Sequence, residues 1–217
     1  MTLTPITVLL LLYSACVLAL TAAEYRRDAA AQRFLKPACA FGFIVIALQS
    51  GALSTLYGQV IFAALILCAI GDIALLSRKS RALFLAGMGA FGLGHGAYVI
   101  AFFGPYGSAL GIAIGAALAF GLIALFRTFI WTHIDKDMRA PVAVYIAIIG
   151  LMLITAMDYA LTGGIWKVGL GAALFAVSDF FVGKDRFAAQ DPRNALAITP
   201  LYFGAQALFA LSTAQAL

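Results

Sequence analysis

Charge is scarce in this chain. Only 11% of its 217 residues are Asp, Glu, Lys or Arg, against 64% that are apolar; an ordinary soluble domain carries about a quarter charged residues, so that class is excluded. Cysteine is scarce too, at three residues. Cys16, Cys39 and Cys68 each fall inside an apolar run, form no C-x-x-C pair and are odd in number. They read as small packing residues, not as disulfides or metal ligands. The two histidines, His95 in an apolar run and His133 in a charged loop, make no His/Cys cluster, so neither a metal nor a cofactor is expected. Soluble-enzyme motifs are missing as well: there is no G-x-S-x-G elbow, phosphate-binding loop or dinucleotide fingerprint. Acid–base chemistry without a covalent intermediate is the enzymatic route this leaves most natural.

What the sequence has instead is apolar length. Eight runs, at 5–22, 37–53, 57–76, 82–103, 107–126, 141–161, 165–182 and 195–216, are each about long enough to span a bilayer. Little chain is left over. Residues 1–217 therefore read as one all-α, polytopic transmembrane domain of eight helices. The first run lacks a basic flank before it and leads into a basic loop, which marks a retained helix and not a cleaved signal.

The net charge of +5 makes no nucleic-acid stripe, and no nucleic-acid partner is expected. Its distribution is the informative part. Loops after odd-numbered spans hold Arg26, Arg27, Arg33 and Lys36; Arg78, Lys79 and Arg81; Arg127, Lys136 and Arg139; and Lys184, Arg186 and Arg193. The even loops hold Lys167 alone. The positive-inside rule puts the odd loops in the cytoplasm and both termini on the other side, as in a bacterial inner-membrane protein.

Two apolar runs carry a carboxylate. Asp72, in Gly71-Asp72-Ile73-Ala74-Leu75-Leu76, and Asp179, in Ser178-Asp179-Phe180-Phe181-Val182, each stand about a turn before a basic loop. At 1.5 Å per residue, Asp72 lies roughly 6 Å inside its span. Ionisable groups in hydrocarbon are costly, face the bundle interior and mark function. Spans three and seven run in the same direction, which permits a four-plus-four parallel pseudo-repeat with both carboxylates near its axis. Together they would supply an acid and a base, because two carboxylates in one low-dielectric pocket do not both ionise cheaply. The duller alternative is local pairing of each Asp with Arg78, Lys79, Lys184 or Arg186.

Other polar groups in the spans are His95 and Tyr98 in span four, Tyr145 in span six, and Tyr202 and Gln206 in span eight. Each is either a satisfied interhelical hydrogen bond or a group that orients substrate or water. Pro37 is expected at the first turn of span two, after a short interfacial helix over 23–36, and Pro141 opens span six. Gly92-x-x-x-Gly96 and the run Gly107, Gly111, Gly115 have close-packing spacing; the Gly111/Gly115 face fits either the bundle or a homo-oligomer contact. Asp158, at the outer end of span six, reads as solvated.

At these residues the chain resembles the YhhN-like, or lysoplasmalogenase, family of membrane proteins. The matching pieces are Lys36-Pro37, Gly71-Asp72, Gly94-His95 with Tyr98, Pro141 with Tyr145, Ser178-Asp179 with Arg186-Phe187, and Tyr202 with Ala205-Gln206. Phe180-Phe181 departs from the pattern, where a small or polar residue is expected after the Asp. The resemblance implies hydrolysis of the vinyl ether bond of lysoplasmalogens, with Asp72 and Asp179 as the acid–base pair and no cofactor. It implies a lysophospholipid in the cytoplasmic leaflet as substrate, its phosphate near Lys36, Arg78, Lys79, Lys184 or Arg186. Two enzymatic or transport rivals remain on the residues alone, beside a purely structural lipid-binding protein. Intramembrane Asp and His also make the relay of a proton-coupled transporter, and Ile70-Gly71-Asp72 faintly matches a two-aspartate intramembrane protease, whose other signature residues are missing here.

Overall fold

Among the described residues, eight α-helices account for the eight apolar runs one for one. The computed structural model describes residues 4–77, 80–104 and 107–215. Its helices are α1 (Pro5–Tyr25), α2 (Ala29–Gln49), α3 (Leu56–Leu75), α4 (Arg81–Phe102), α5 (Ala109–Phe129), α6 (Arg139–Gly163), α7 (Trp166–Gly183) and α8 (Ala195–Ser212). Each is long and apolar enough to cross a membrane. Most are apolar all round, because their outer faces meet lipid while their inner faces meet each other. Side chains of Thr4, Asp28, Thr55, Ser80 and Ser108 cap the starts of α1 to α5, satisfying N–H groups that a helix end leaves open. Gly164, at φ 71°, ends α6 in the left-handed conformation.

One boundary differs from expectation. Asp28 accepts from the amides of Ala30 and Ala31 at 3.1 and 3.0 Å, so α2 begins at Ala29 and no separate interfacial helix precedes it. Pro37 then falls in the third turn of α2, not the first. The cap and the helix-forming alanines outweigh the one backbone bond that proline removes. The consequence is that Lys36 sits inside a helix instead of in a loop.

Packing places five helices in a ring. α3 packs on α4, α4 on α6, α6 on α7, α7 on α8, and α8 back on α3. α1 and α2 flank α8, and α5 lies against α6 and α7. Phe175 of α7 stands inside the ring, its aromatic ring against those of Phe91, His95, Tyr98 and Tyr202.

Glycines set two of the close approaches. A Cβ on Gly111 or Gly115 would fall 2.7 Å from Asp158 Cα or 2.5 Å from Ile154 Cα. This stripe therefore packs α5 onto the α6 backbone within the bundle, and it is not left for a subunit contact. On α4 the tight positions are Gly87 and Gly94, where a Cβ would fall 2.8 Å from Leu75 Cδ2 and from Cys68 Sγ of α3, respectively. Gly92 and Gly96 do not close a contact: Gly96 has nothing within 4 Å. Asp158 is also not merely solvated; its Oδ1 accepts the Ser108 amide at 2.6 Å and ties α6 to the start of α5.

Candidate active site

Each helix of the ring contributes at least one polar side chain to the same region. α3 gives Asp72, α4 His95, α6 Tyr145, α7 Asp179 and α8 Tyr202. Asp72 and Asp179 are both buried, at 3% and 8% exposed, yet both line one cavity near the ends of α3 and α7. The rest of that wall is mostly apolar, including Met88, Phe91, Phe126 and Val142. A buried carboxylate away from water needs partners, and here they are tyrosines. Tyr202 Oη donates to Asp72 Oδ2 at 2.6 Å. Tyr145 Oη donates to Asp179 Oδ2 at 3.1 Å. Among the described residues neither carboxylate forms an ion pair with a lysine or arginine.

Behind Tyr202 runs a chain of donors. Tyr98 Oη donates to Gln206 Oε1 at 2.6 Å, and Gln206 Nε2 donates to Tyr202 Oη at 3.1 Å. Tyr98 and Gln206 are fully buried and reach the cavity only through Tyr202. On the other side, His95 Nδ1 meets the Phe91 carbonyl at 2.7 Å, and its Nε2 lies 3.5 Å from Asp179 Oδ2. Ser178 Oγ donates to the Ile198 carbonyl at 3.1 Å, fixing the neighbour of Asp179 to α8.

The basic candidates separate. Lys36 and Arg186 line the cavity of the two carboxylates and also an adjoining, more polar cavity. Lys184 lies over the Phe181 ring, 5.9 Å from its centroid, and lines neither. Arg78 and Lys79 lie outside the described residues. Lys36 Nζ forms an ion pair with Glu24 Oε1 at 3.1 Å, and Thr199 Oγ1 donates to Glu24 Oε2. Nothing in the neighbours of Glu24 marks it as a site residue. The one available signal is that it is the sole glutamate in the chain. Arg186 stacks on Phe84, 4.2 Å from the ring centroid. The adjoining cavity also carries Asp185 and Asp191; Asn194 donates to Asp185 at 3.1 Å, and bonds from Arg193 hold the Asp191 carboxyl below the ordinary carboxylate range.

Phe180 and Phe181 leave the cavity alone. Phe180 packs edge-on against Phe126 and Phe129 of α5, so the departure from the family pattern lies on the α5 side of α7. No group of three or more His, Cys, Asp or Glu suited to a metal occurs among the described residues.

Residues 31–213 match the model of the YhhN family. The human protein Lysoplasmalogenase TMEM86B is 35% identical over 185 residues, which is 85% of this chain and 74% of that protein. Bovine Lysoplasmalogenase TMEM86A is 35% identical over 71% of this chain and 65% of its own length. A Lysoplasmalogenase of Mycobacterium bovis is 32% identical over 67% of this chain and 56% of its own length. The chain thus spans between about half and three quarters of these relatives. No solved structure matches it.

Proposed function

This chain belongs to the YhhN family, and from that premise we propose that it is an integral-membrane hydrolase that cleaves the vinyl ether bond of lysoplasmalogens. The products are a fatty aldehyde and glycerophosphocholine or glycerophosphoethanolamine. One observation carries the proposal: two buried carboxylates from different helices line a single apolar-walled cavity, each held by a tyrosine and, among the described residues, neither in an ion pair with a lysine or arginine.

The reaction asks for that arrangement. One carboxyl group gives its proton to the outer alkene carbon of the vinyl ether, which leaves an oxocarbenium ion. The other carboxylate takes a proton from water as its oxygen adds to the inner carbon, and the resulting hemiacetal collapses with proton transfers through the same two groups. Asp72 and Asp179 fill these roles. His95, Tyr98, Tyr145, Tyr202 and Gln206 orient them and the water.

Substrate placement follows from the two adjoining cavities. The alkenyl chain lies against Met88, Phe91, Phe126 and Val142, and the phosphate sits at the shared wall beside Lys36 and Arg186. The headgroup cation faces Glu24, Asp185 and Asp191 in the polar cavity. With the odd loops in the cytoplasm, the site opens to the inner leaflet of a bacterial inner membrane and both termini lie on the far side.

The test is mass spectrometry of lysoplasmalogen incubated with purified protein in D2O. The aldehyde is expected to carry one deuterium on its second carbon. Asp72→Asn and Asp179→Asn should each lower its release by about 10²- to 10⁴-fold, the range of lost acid–base catalysis, while remaining folded. Wild-type rates from either variant would end the proposal.

A further inference from the structure

His95 has a nitrogen without a hydrogen-bond partner. Its ring is completely buried, packed against Phe175 at 4.4 Å and Tyr145 at 5.5 Å between centroids. Nδ1 faces the Phe91 carbonyl at 2.7 Å. A carbonyl can only accept, so Nδ1 carries a hydrogen. Among the described residues Nε2 makes no hydrogen bond, and Asp179 Oδ2 lies 3.5 Å from it. An imidazolium in this aromatic pocket would meet Asp179 at 3.5 Å without a hydrogen bond to it, so its desolvation would be poorly offset. The neutral ring instead turns the Nε2 lone pair toward Asp179. A lone pair facing an ionised carboxylate is repulsive; facing a protonated carboxyl group it is an acceptor.

Asp72 is held in the opposite sense. The chain from Tyr98 through Gln206 and Tyr202 runs with each donor aimed at the next acceptor and ends on Asp72 Oδ2. Its last bond is 2.6 Å long, from a donor that Gln206 in turn supports. The corresponding Tyr145 bond to Asp179 is longer, 3.1 Å, and an ionised carboxylate gains most from the shorter, better supported donor. The other charged or titratable groups on the shared cavity are Lys36 and Arg186; neither forms an ion pair with Asp179.

We infer that Asp179 is the resting acid and Asp72 the resting base, and that His95 is the positioning residue that keeps the proton on Asp179. The assignment rests on the vinyl ether reaction proposed above and closes its proton balance. Asp179 loses its proton to the alkene carbon as the C–H bond forms and the double bond shifts to give the oxocarbenium ion. Asp72 takes one proton from water as the C–OH bond forms. In collapse, the hemiacetal hydroxyl returns a proton to Asp179, the carbon–oxygen bond to glycerol breaks, and Asp72 protonates the departing oxygen. Both groups end as they began.

The test is infrared difference spectroscopy of the purified full-length protein, following the carbonyl band of a buried carboxylic acid and its shift in D2O. Wild type should show the band, Asp179→Asn should lose it, and Asp72→Asn should keep it. His95→Phe should shift the band and lower kcat about tenfold with KM little changed, and His95→Gln, whose amide oxygen can accept, should recover most of both. A wild type without the band, loss of the band in Asp72→Asn, or a band and kcat untouched by His95→Phe would each overturn the assignment. The infrared result does not depend on turnover. A wild type that shows the expected bands but releases no aldehyde would therefore end the hydrolase proposal and leave the proton on Asp179.

Discussion

Replacing Tyr202 with Phe removes one oxygen and disturbs two hydrogen bonds. Asp72 Oδ2 loses its 2.6 Å donor, and the amide of Gln206, itself fully buried, loses the acceptor it reaches at 3.1 Å. A hydrogen bond to a charged group is worth about 1.5–3 kcal/mol, which corresponds to a kcat roughly 10- to 150-fold lower if Asp72 acts as an ionised base. The stranded amide costs a further ~1–3 kcal/mol of stability. Tyr145→Phe removes the longer, 3.1 Å bond to Asp179, which is worth about 0.5–1.5 kcal/mol if that carboxyl is neutral, or roughly 2- to 12-fold in kcat. Aldehyde release coupled to an NADH-linked reductase gives kcat and KM, and thermal unfolding in detergent gives the stability change. Adding Gln206→Leu to Tyr202→Phe should cost less than the sum of the two single changes, because both act on one chain of bonds. A Tyr202→Phe enzyme within twofold of wild type, or a larger loss in Tyr145→Phe, would refute the reasoning.

Breaking the Glu24–Lys36 ion pair by Lys36→Met leaves a carboxylate only 7% exposed without its ammonium. The expected effect is a loss of stability in thermal unfolding; the double variant with Glu24→Gln should recover most of that stability but keep a raised KM, measured by the same aldehyde assay. Gly115→Leu should destabilise the protein by about 1–3 kcal/mol or more, since its Cβ alone would already press on the α6 backbone. Gly96→Ala meets open space and should be neutral or slightly stabilising in the same thermal scan. The Arg81 guanidinium holds the exposed Asp137 carboxyl below its ordinary range. The tether between the start of α4 and the loop before α6 is therefore present at neutral pH and lost as pH falls through that lowered value. Amide exchange in the loop should quicken on acidification, and Asp137→Asn should remove that dependence.

The helix count was legible because a bilayer imposes a length. Little besides a membrane span calls for an unbroken apolar run of about 20 residues, and charge scarcity made the ends of these runs visible. Boundaries were less so. Pro37 reads as a helix start by local rules, but the cap at Asp28, nine residues earlier, begins α2 instead. Glycine spacing identified Gly111 and Gly115 of α5, though not Gly107, which precedes the helix and where a Cβ would meet nothing within 4 Å, and it misplaced the α4 stripe, since Gly87 and Gly94 make the close contacts there. Spacing gives a face of a helix; it does not say which neighbour that face meets.

Sequence alone singled out Asp72 and Asp179, because a carboxylate in an apolar run needs no partner to be conspicuous. It also singled out His95, Tyr145, Tyr202 and Gln206, which are polar in otherwise apolar surroundings. Only the tertiary structure decided that α3, α4, α6, α7 and α8 close a ring, so that Asp72, Tyr145, Asp179 and Tyr202 share a cavity with His95 and Gln206 behind them. The structure alone brought Glu24 to Lys36, since the two stand on different helices, α1 and α2, and Glu24 lies just beyond the first apolar run. Burial of one side chain can be inferred from its own neighbours in the chain. Which donor meets which acceptor depends on how helices distant in sequence pack, and that is fixed by contacts the linear order does not contain.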